Sequence, residues 1–230
     1  MNATTLSPLR ALLLDMDGVL WRGEQPIGDL PAIFDRIRAL NLGFMLVTNN
    51  STRTPAHYLE KLRHFGVVLE PWQVINSSQA VAALLRERFP QGGEVYVVGE
   101  IGLLDALREA GFHPSTDEQV PHSPLAVVAG MDRTLTYAKI DRAARLIRGG
   151  VPFYATNPDK TFPTPEGLTP GAGTVLAAIS AASGKEPLIA GKPSPYLFRI
   201  ALQRLDVSPL EALVVGDRLE TDIAGGQAAG

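Results

Sequence analysis

Residues 11–20 read ALLLDMDGVL. Ala11–Asp15 is a short apolar run that ends on a carboxylate, which suits a strand buried on both faces, as in a parallel sheet. Gly18 permits a sharp departure of the chain after that strand. Asp15 and Asp17 stand two residues apart at the strand's mouth, where desolvation and mutual repulsion call for a cation. Mg²⁺ prefers oxygen ligands in octahedral geometry and keeps several waters, so the pair suits it. Taken alone, an Asp-x-Asp pair reads equally well as a solvated turn.

Outward from this stretch the chain alternates between short β-type runs and helix-type segments, the pattern of an α/β protein. Asp29 caps a helix with Pro31 in its first turn, running to about Leu40. Gly43–Thr48 is a second strand, and Thr54-Pro55 opens a helix that ends at Gly66. Val74–Asn76 is a short strand, and Ser77 or Ser78 caps the helix that follows. A second alternating series starts at Gly92, and its Asn157–Gly173 segment reads as a loop rich in Pro, Thr and Gly. A third series starts with a strand at Leu188–Ala190, then a helix at Pro195–Leu205 and a strand at Ala212–Val215. The middle series reads as a domain inserted into an outer one, with joints near 80 and 186. Residues 1–80 and 186–230 then form the core and 81–185 the insert.

Three more polar motifs sit at strand ends, where ligands bind in open parallel sheets. Thr48-Asn49-Asn50-Ser51 offers hydroxyl, amide and backbone N–H groups to phosphate oxygens, or else a capping turn. Gly191-Lys192-Pro193 offers a point charge to a phosphate, or else an exposed loop lysine. Gly216-Asp217-Arg218-Leu219-Glu220-Thr221-Asp222 adds two acidic oxygen sources, or else acids that complement a helix N-terminus. Each bland alternative stands well alone. All of them holding together, in this order and each at a strand end, is far harder to sustain.

The stretches DMDGVLW (15–21), VTNNS (47–51), ATNPD (155–159), PTPEGLTPGAG (163–173), GKPSPYLF (191–198) and VVGDRLETDI (214–223) resemble the haloacid dehalogenase superfamily, in its NagD-like, p-nitrophenyl phosphatase branch. The resemblance covers nearly the whole chain. It implies a Rossmann-like parallel-sheet core with an inserted α/β cap, and a Mg²⁺-dependent phosphatase acting on small phosphate monoesters. It assigns the nucleophile to Asp15, through an aspartyl-phosphate, and the general acid and base to Asp17. Thr48, Asn49, Asn50 and Lys192 are implied to bind phosphate. The metal ligands are implied to be Asp15, Asp17 through its backbone carbonyl, Asp217, and Asp222 acting mainly through a water. Trp21 is read as packing in the flap after the first motif. Some relatives have a histidine just before the proline at position 163, where this chain has Phe162. The family continues past its fourth motif with a helix and a further strand, so a sequence ending at Gly230 is expected to lack an edge strand of the core sheet.

The chain has 230 residues, 45% hydrophobic, with a net charge of −3 and no cysteine. The mixed charges leave no basic footprint for nucleic acid or an anionic membrane, and the absent thiols exclude disulfides and Cys-based metal sites. Met1–Pro8 lacks the features of a secretory signal, and runs such as Val175–Ala182 fall far short of the roughly 20 residues that span a bilayer. A cytoplasmic enzyme is expected, its partner a small phosphorylated metabolite, with a homodimer through the cap. Two other functions share the motifs: a phosphotransferase, and an inactive binding or regulatory protein of the same fold.

Overall fold

A computed structural model of the chain describes residues 9–116, 123–164 and 166–230. Met1–Pro8, whose polarity argued against a secretion signal, and Pro165 lie outside the described residues. The elements begin with β1 (Ala11–Leu14), β2 (Trp21–Arg22), β3 (Gln25–Pro26), α1 (Leu30–Ala39), β4 (Gly43–Thr48), α2 (Pro55–His64) and β5 (Val74–Asn76). They continue with α3 (Ser77–Arg88), β6 (Gly93–Val98), α4 (Ile101–Glu109), β7 (Phe112–Ser115), β8 (Val127–Ala129), α5 (Tyr137–Arg148) and β9 (Phe153–Ala155). Last come β10 (Thr161–Thr164), β11 (Gly167–Pro170), α6 (Ala172–Ser183), β12 (Leu188–Ile189), α7 (Tyr196–Leu205), β13 (Ala212–Val215) and α8 (Ala224–Ala229).

The chain divides into two units. One holds the chain up to Thr48 with Pro55–Ile75 and Pro193–Gly230, and the other holds Asn49–Thr54 with Asn76–Lys192. These joints differ by a few residues from those near 80 and 186 read from the alternation. The reason is strand pairing: β12 lies parallel to β9 and so extends the second unit's sheet. Periodicity marks β12 as a strand but does not say which sheet receives it.

In the first unit the sheet order is β13-β1-β4-β5. β1 runs parallel to both neighbours, with Leu14 opposite Val215 on one side and Leu46 on the other. α1 starts where the sequence places it, since the Asp29 carboxylate accepts from the Ala32 N–H at 3.1 Å and Pro31 fits the first turn. Its buried stripe is Leu30, Phe34 and Ile37, which fall on one face of a helix. Phe34 meets Phe44 of β4 with ring centroids 5.1 Å apart. β13 is an edge strand, and beside it lies an apolar groove of about 470 Å³ lined by Leu202, Pro209, Leu213 and Ile223 among others.

In the second unit the sheet order is β12-β9-β8-β6-β7, with the paired strands parallel. Its core joins Tyr96, Val98 and Val127 of the sheet to Leu146 and Ile147 of α5 and Val175 and Ile179 of α6. α3 is capped by Asn76, one residue before the serines expected to do so. Its Oδ1 accepts from the Gln79 N–H at 2.9 Å, and the Gln79 side chain accepts from the Asn76 N–H at 3.2 Å. The Ser77 and Ser78 hydroxyls donate instead to the carbonyls of Asn49 and Ser51. Residues 157–173, expected as a loop, contain the antiparallel ribbon β10–β11. Pro163 and Pro170 are accommodated because a two-stranded ribbon leaves outward-facing groups without ladder bonds. No helix among the described residues is long and apolar enough to cross a membrane.

Arg133, after β8, donates from Nε to Glu100, after β6, at 2.7 Å, and from its backbone N–H at 3.0 Å. Burial raises the Glu100 carboxyl, but these bonds and the guanidinium charge outweigh it and hold the group below the ordinary glutamate range. A depressed acid contributes stability above its unfolded value, and that contribution drains away as pH falls through the lowered one. In thermal melts, Arg133→Gln is therefore expected to lower Tm near neutral pH and to lower it less in acid. In the first unit, Phe34→Ala empties a fully buried position. It is expected to cost about 3–5 kcal/mol of unfolding free energy in urea titrations.

Candidate active site

The site grows from the registry of β1 and β13. Leu14 stands opposite Val215, and the Asp15 N–H donates to the Val215 carbonyl at 2.9 Å. The two strands therefore end level, and Asp15 leaves the sheet beside Gly216-Asp217. The chain then winds through a π-helical turn, Leu219–Ile223, from which Asp222 points back. Its Oδ2 accepts from the Arg218 N–H at 3.2 Å. Carboxylate oxygens of Asp15, Asp217 and Asp222 all lie within 4.8 Å of one another, with Asp15 and Asp222 buried and Asp217 exposed. Three formal negative charges so close, two of them away from solvent, are strongly unfavourable without compensation. Hard oxygen donors with an open side are the set that Mg²⁺ takes, so these residues fit that ion. Asp222, expected to act mainly through a water, presents its carboxylate alongside the other two.

Two glycines leave room for this cluster. Gly18 has φ +91, and a Cβ there would stand 2.0 Å from Oδ2 of Asp217. A Cβ on Gly216 would stand 2.2 Å from Cβ of Asp222.

The Asp17 carboxylate is not part of the three-acid group. Its Oδ1 accepts from the Trp21 indole N–H at 2.9 Å. The turn that allows this is tight: the Leu20 N–H donates to the Met16 carbonyl, and the Gly18 N–H to the Trp21 carbonyl, both at 2.8 Å. β2 and β3 then form a small hairpin in which Trp21 pairs with Pro26 and Arg22 with Gln25. Thr48 ends β4 and is buried. Since Leu46 is level with Leu14, Thr48 lies at the same end of the sheet as Asp15.

Asn49, Asn50 and Lys192 belong to the second unit. The Asn49 side chain is committed to protein groups. Its Oδ1 accepts from the Lys192 N–H at 2.8 Å, and its Nδ2 donates to the Lys192 carbonyl at 2.9 Å and to Oδ2 of Asp159 at 3.1 Å. An amide nitrogen has two hydrogens, so none remains for a phosphate oxygen. Asn49 instead fixes the backbone of Lys192, whose residue is buried. The Asn49 carbonyl is held in turn by Asn157 Nδ2 at 2.7 Å and by the Ser77 hydroxyl. The Asn50 Oδ1 accepts from the Thr52 N–H at 3.0 Å and the Thr52 hydroxyl at 2.8 Å, forming a local turn. Ser77 was not among the expected site residues, whereas Asn157 and Asp159 fall in the 155–159 stretch that carries the family resemblance and that, with the loop after it, is implied to set specificity. Their trace in the sequence is a short polar side chain just past an apolar strand, a signal shared with ordinary caps.

A family model described as haloacid dehalogenase-like hydrolase matches residues 12–113, and one described as HAD-hydrolase-like matches residues 189–230. An acid sugar phosphatase of Staphylococcus aureus is 37% identical over 217 residues, covering 94% of this chain and 82% of that protein. A glycerol phosphate phosphatase from Mycobacterium tuberculosis, solved in complex with magnesium, superposes with a TM-score of 0.88 at 36% identity, covering 96% of this chain and 66% of that one. A p-nitrophenyl phosphatase from Archaeoglobus fulgidus superposes with a TM-score of 0.89 at 31% identity, covering 97% and 84% respectively.

Gly18→Ala must displace the Asp217 carboxylate. Titration calorimetry with Mg²⁺ is expected to show affinity about tenfold weaker in this variant, by loss of one charged ligand. Unchanged affinity would mean that Asp217 does not hold the ion.

Proposed function

The chain belongs to the haloacid dehalogenase-like hydrolases, and from that membership we propose that it is a Mg²⁺-dependent phosphatase hydrolysing small phosphate monoesters through an aspartyl-phosphate on Asp15. The observation that carries this reading is the convergence of the Asp15, Asp217 and Asp222 carboxylates within 4.8 Å at level strand ends. The activities of its relatives, on sugar, glycerol and p-nitrophenyl phosphates, support a small alcohol or phenol as the leaving group.

A carboxylate oxygen of Asp15 attacks phosphorus, and the bond from phosphorus to the ester oxygen breaks. Asp17 gives that oxygen its proton as it leaves. The resulting Asp17 carboxylate then takes a proton from water, whose oxygen attacks phosphorus and breaks the bond to Asp15, releasing phosphate. Asp15, Asp217, Asp222 and the backbone carbonyl of Asp17 would hold Mg²⁺, which would supply positive charge to offset the phosphoryl oxygens. The Thr48 hydroxyl and the Lys192 ammonium are assigned to phosphate oxygens, and the Asn49 side chain to the support of Lys192. Burial of Asp15 lowers the local dielectric, which strengthens each of these electrostatic contributions.

Asp15→Asn replaces the nucleophilic oxygen with an amide of the same shape. Turnover of p-nitrophenyl phosphate with Mg²⁺ is expected to fall by more than about 1,000-fold, while the thermal melt stays within a few degrees of the parent. Retained turnover would exclude Asp15 as the nucleophile.

A further inference from the structure

We propose that Trp21 is a positioning residue for Asp17, fixing which carboxylate oxygen delivers the proton to the leaving group. This inference rests on the phosphatase reading above and extends it to a residue that touches no substrate.

The indole nitrogen is a donor only, and a carboxylate oxygen bonded to it must accept. The 2.9 Å bond to Oδ1 of Asp17 therefore persists whether or not Asp17 carries a proton, and it turns the carboxyl so that Oδ1 faces the indole and favours Oδ2 as the proton's seat. A proton delivered in line with bond cleavage needs this kind of fixed origin, since misplacement by about 1 Å costs orders of magnitude. Trp21 is itself immobilised. It is 1% exposed, its ring centroid lies 6.1 Å from that of Phe65, and the Lys61 ammonium stands 5.1 Å over it. Lys61 also donates to the Gly23 carbonyl at 2.6 Å and pairs with Glu24 at 3.1 Å. One lysine of α2 thus holds both the tryptophan and the turn of its hairpin.

A positioning role separates from a packing role by leaving group. p-Nitrophenolate departs with little protonation, whereas an alkoxide requires its proton as the phosphorus–oxygen bond breaks: the proton goes from Asp17 to the alkoxide oxygen while Asp15 bonds to phosphorus. The test compares the parent and Trp21→Phe on glycerol phosphate, by kcat and KM, and on p-nitrophenyl phosphate, by single-turnover release of p-nitrophenolate, both with Mg²⁺. A second protein carries β-(3-benzothienyl)alanine at position 21, which keeps the bicyclic shape and deletes the N–H, so that loss of packing is excluded. In both altered proteins kcat for glycerol phosphate is expected to fall about tenfold, as for loss of one hydrogen bond to a charged group. The first release of p-nitrophenolate, followed in a single turnover, is expected to stay within about twofold, because only hydrolysis of the shared aspartyl-phosphate then calls on Asp17. An equal loss in the first release of p-nitrophenolate, or no loss with the benzothienyl residue, would overturn the positioning role. A parent protein inactive on both esters would instead sink the phosphatase reading, and this inference with it.

Discussion

The parallel registry of β1 against β13 is the constraint on which the site depends. With Leu14 opposite Val215, the first acid of one motif and the first acid of another leave the sheet level with each other. A slip of one residue would turn every side chain of β1 to the opposite face and carry Asp15 away from Asp217. Apolar burial protects the registry: Ala11, Leu13 and Leu14 are buried. The core thus holds together a group of charges that would otherwise separate. Carboxylates gathered this closely cost folding free energy unless donors or a cation offset them. A divalent cation bound there would stabilise the fold, linking ion binding to folding of this region.

Around the acids, hydrogen bonds of fixed polarity set the remaining groups. Trp21 can only donate and Asp17 accepts. The Asn49 amide offers one acceptor and two donors, and it meets both the N–H and the carbonyl of Lys192. That paired contact restrains the backbone from which the lysine side chain departs. It joins residues 143 positions apart, just after β4 and just after β12. Small residues finish the task by exclusion: at Gly18 and Gly216 even a methyl group would intrude on the acids.

Much of this was legible from residue order. Gly43–Thr48 and Ala212–Val215 are strands with the bounds that their apolar runs suggest, because short runs rich in aliphatic and β-branched residues favour extended backbone. The α1 start was legible for the same reason, since Asp29 and Pro31 each suit one cap position. What escaped was pairing. Leu188–Ile189 looks like any short strand, and only its bonds to Tyr154 and Ala155 say that it joins the second sheet. The β10–β11 ribbon was hidden by Pro163 and Pro170, which count against a strand wherever sheet neighbours are unknown. The engagement of the Asn49 side chain was not legible either. Its commitment to Lys192 and Asp159 depends on residues more than a hundred positions away, which local pattern does not reveal. The same is true of Asn76, whose claim to the α3 cap was decided when Ser77 and Ser78 found other acceptors.

The most direct measurement is an anomalous-difference map from crystals of the protein grown with Mn²⁺ in place of Mg²⁺, an ion that accepts the same oxygen ligands. One peak is expected, among the carboxylates of Asp15, Asp217 and Asp222 and bonded to at least two of them. A peak elsewhere, or none at saturating Mn²⁺, would contradict the claim that these three acids gather in order to hold a single ion.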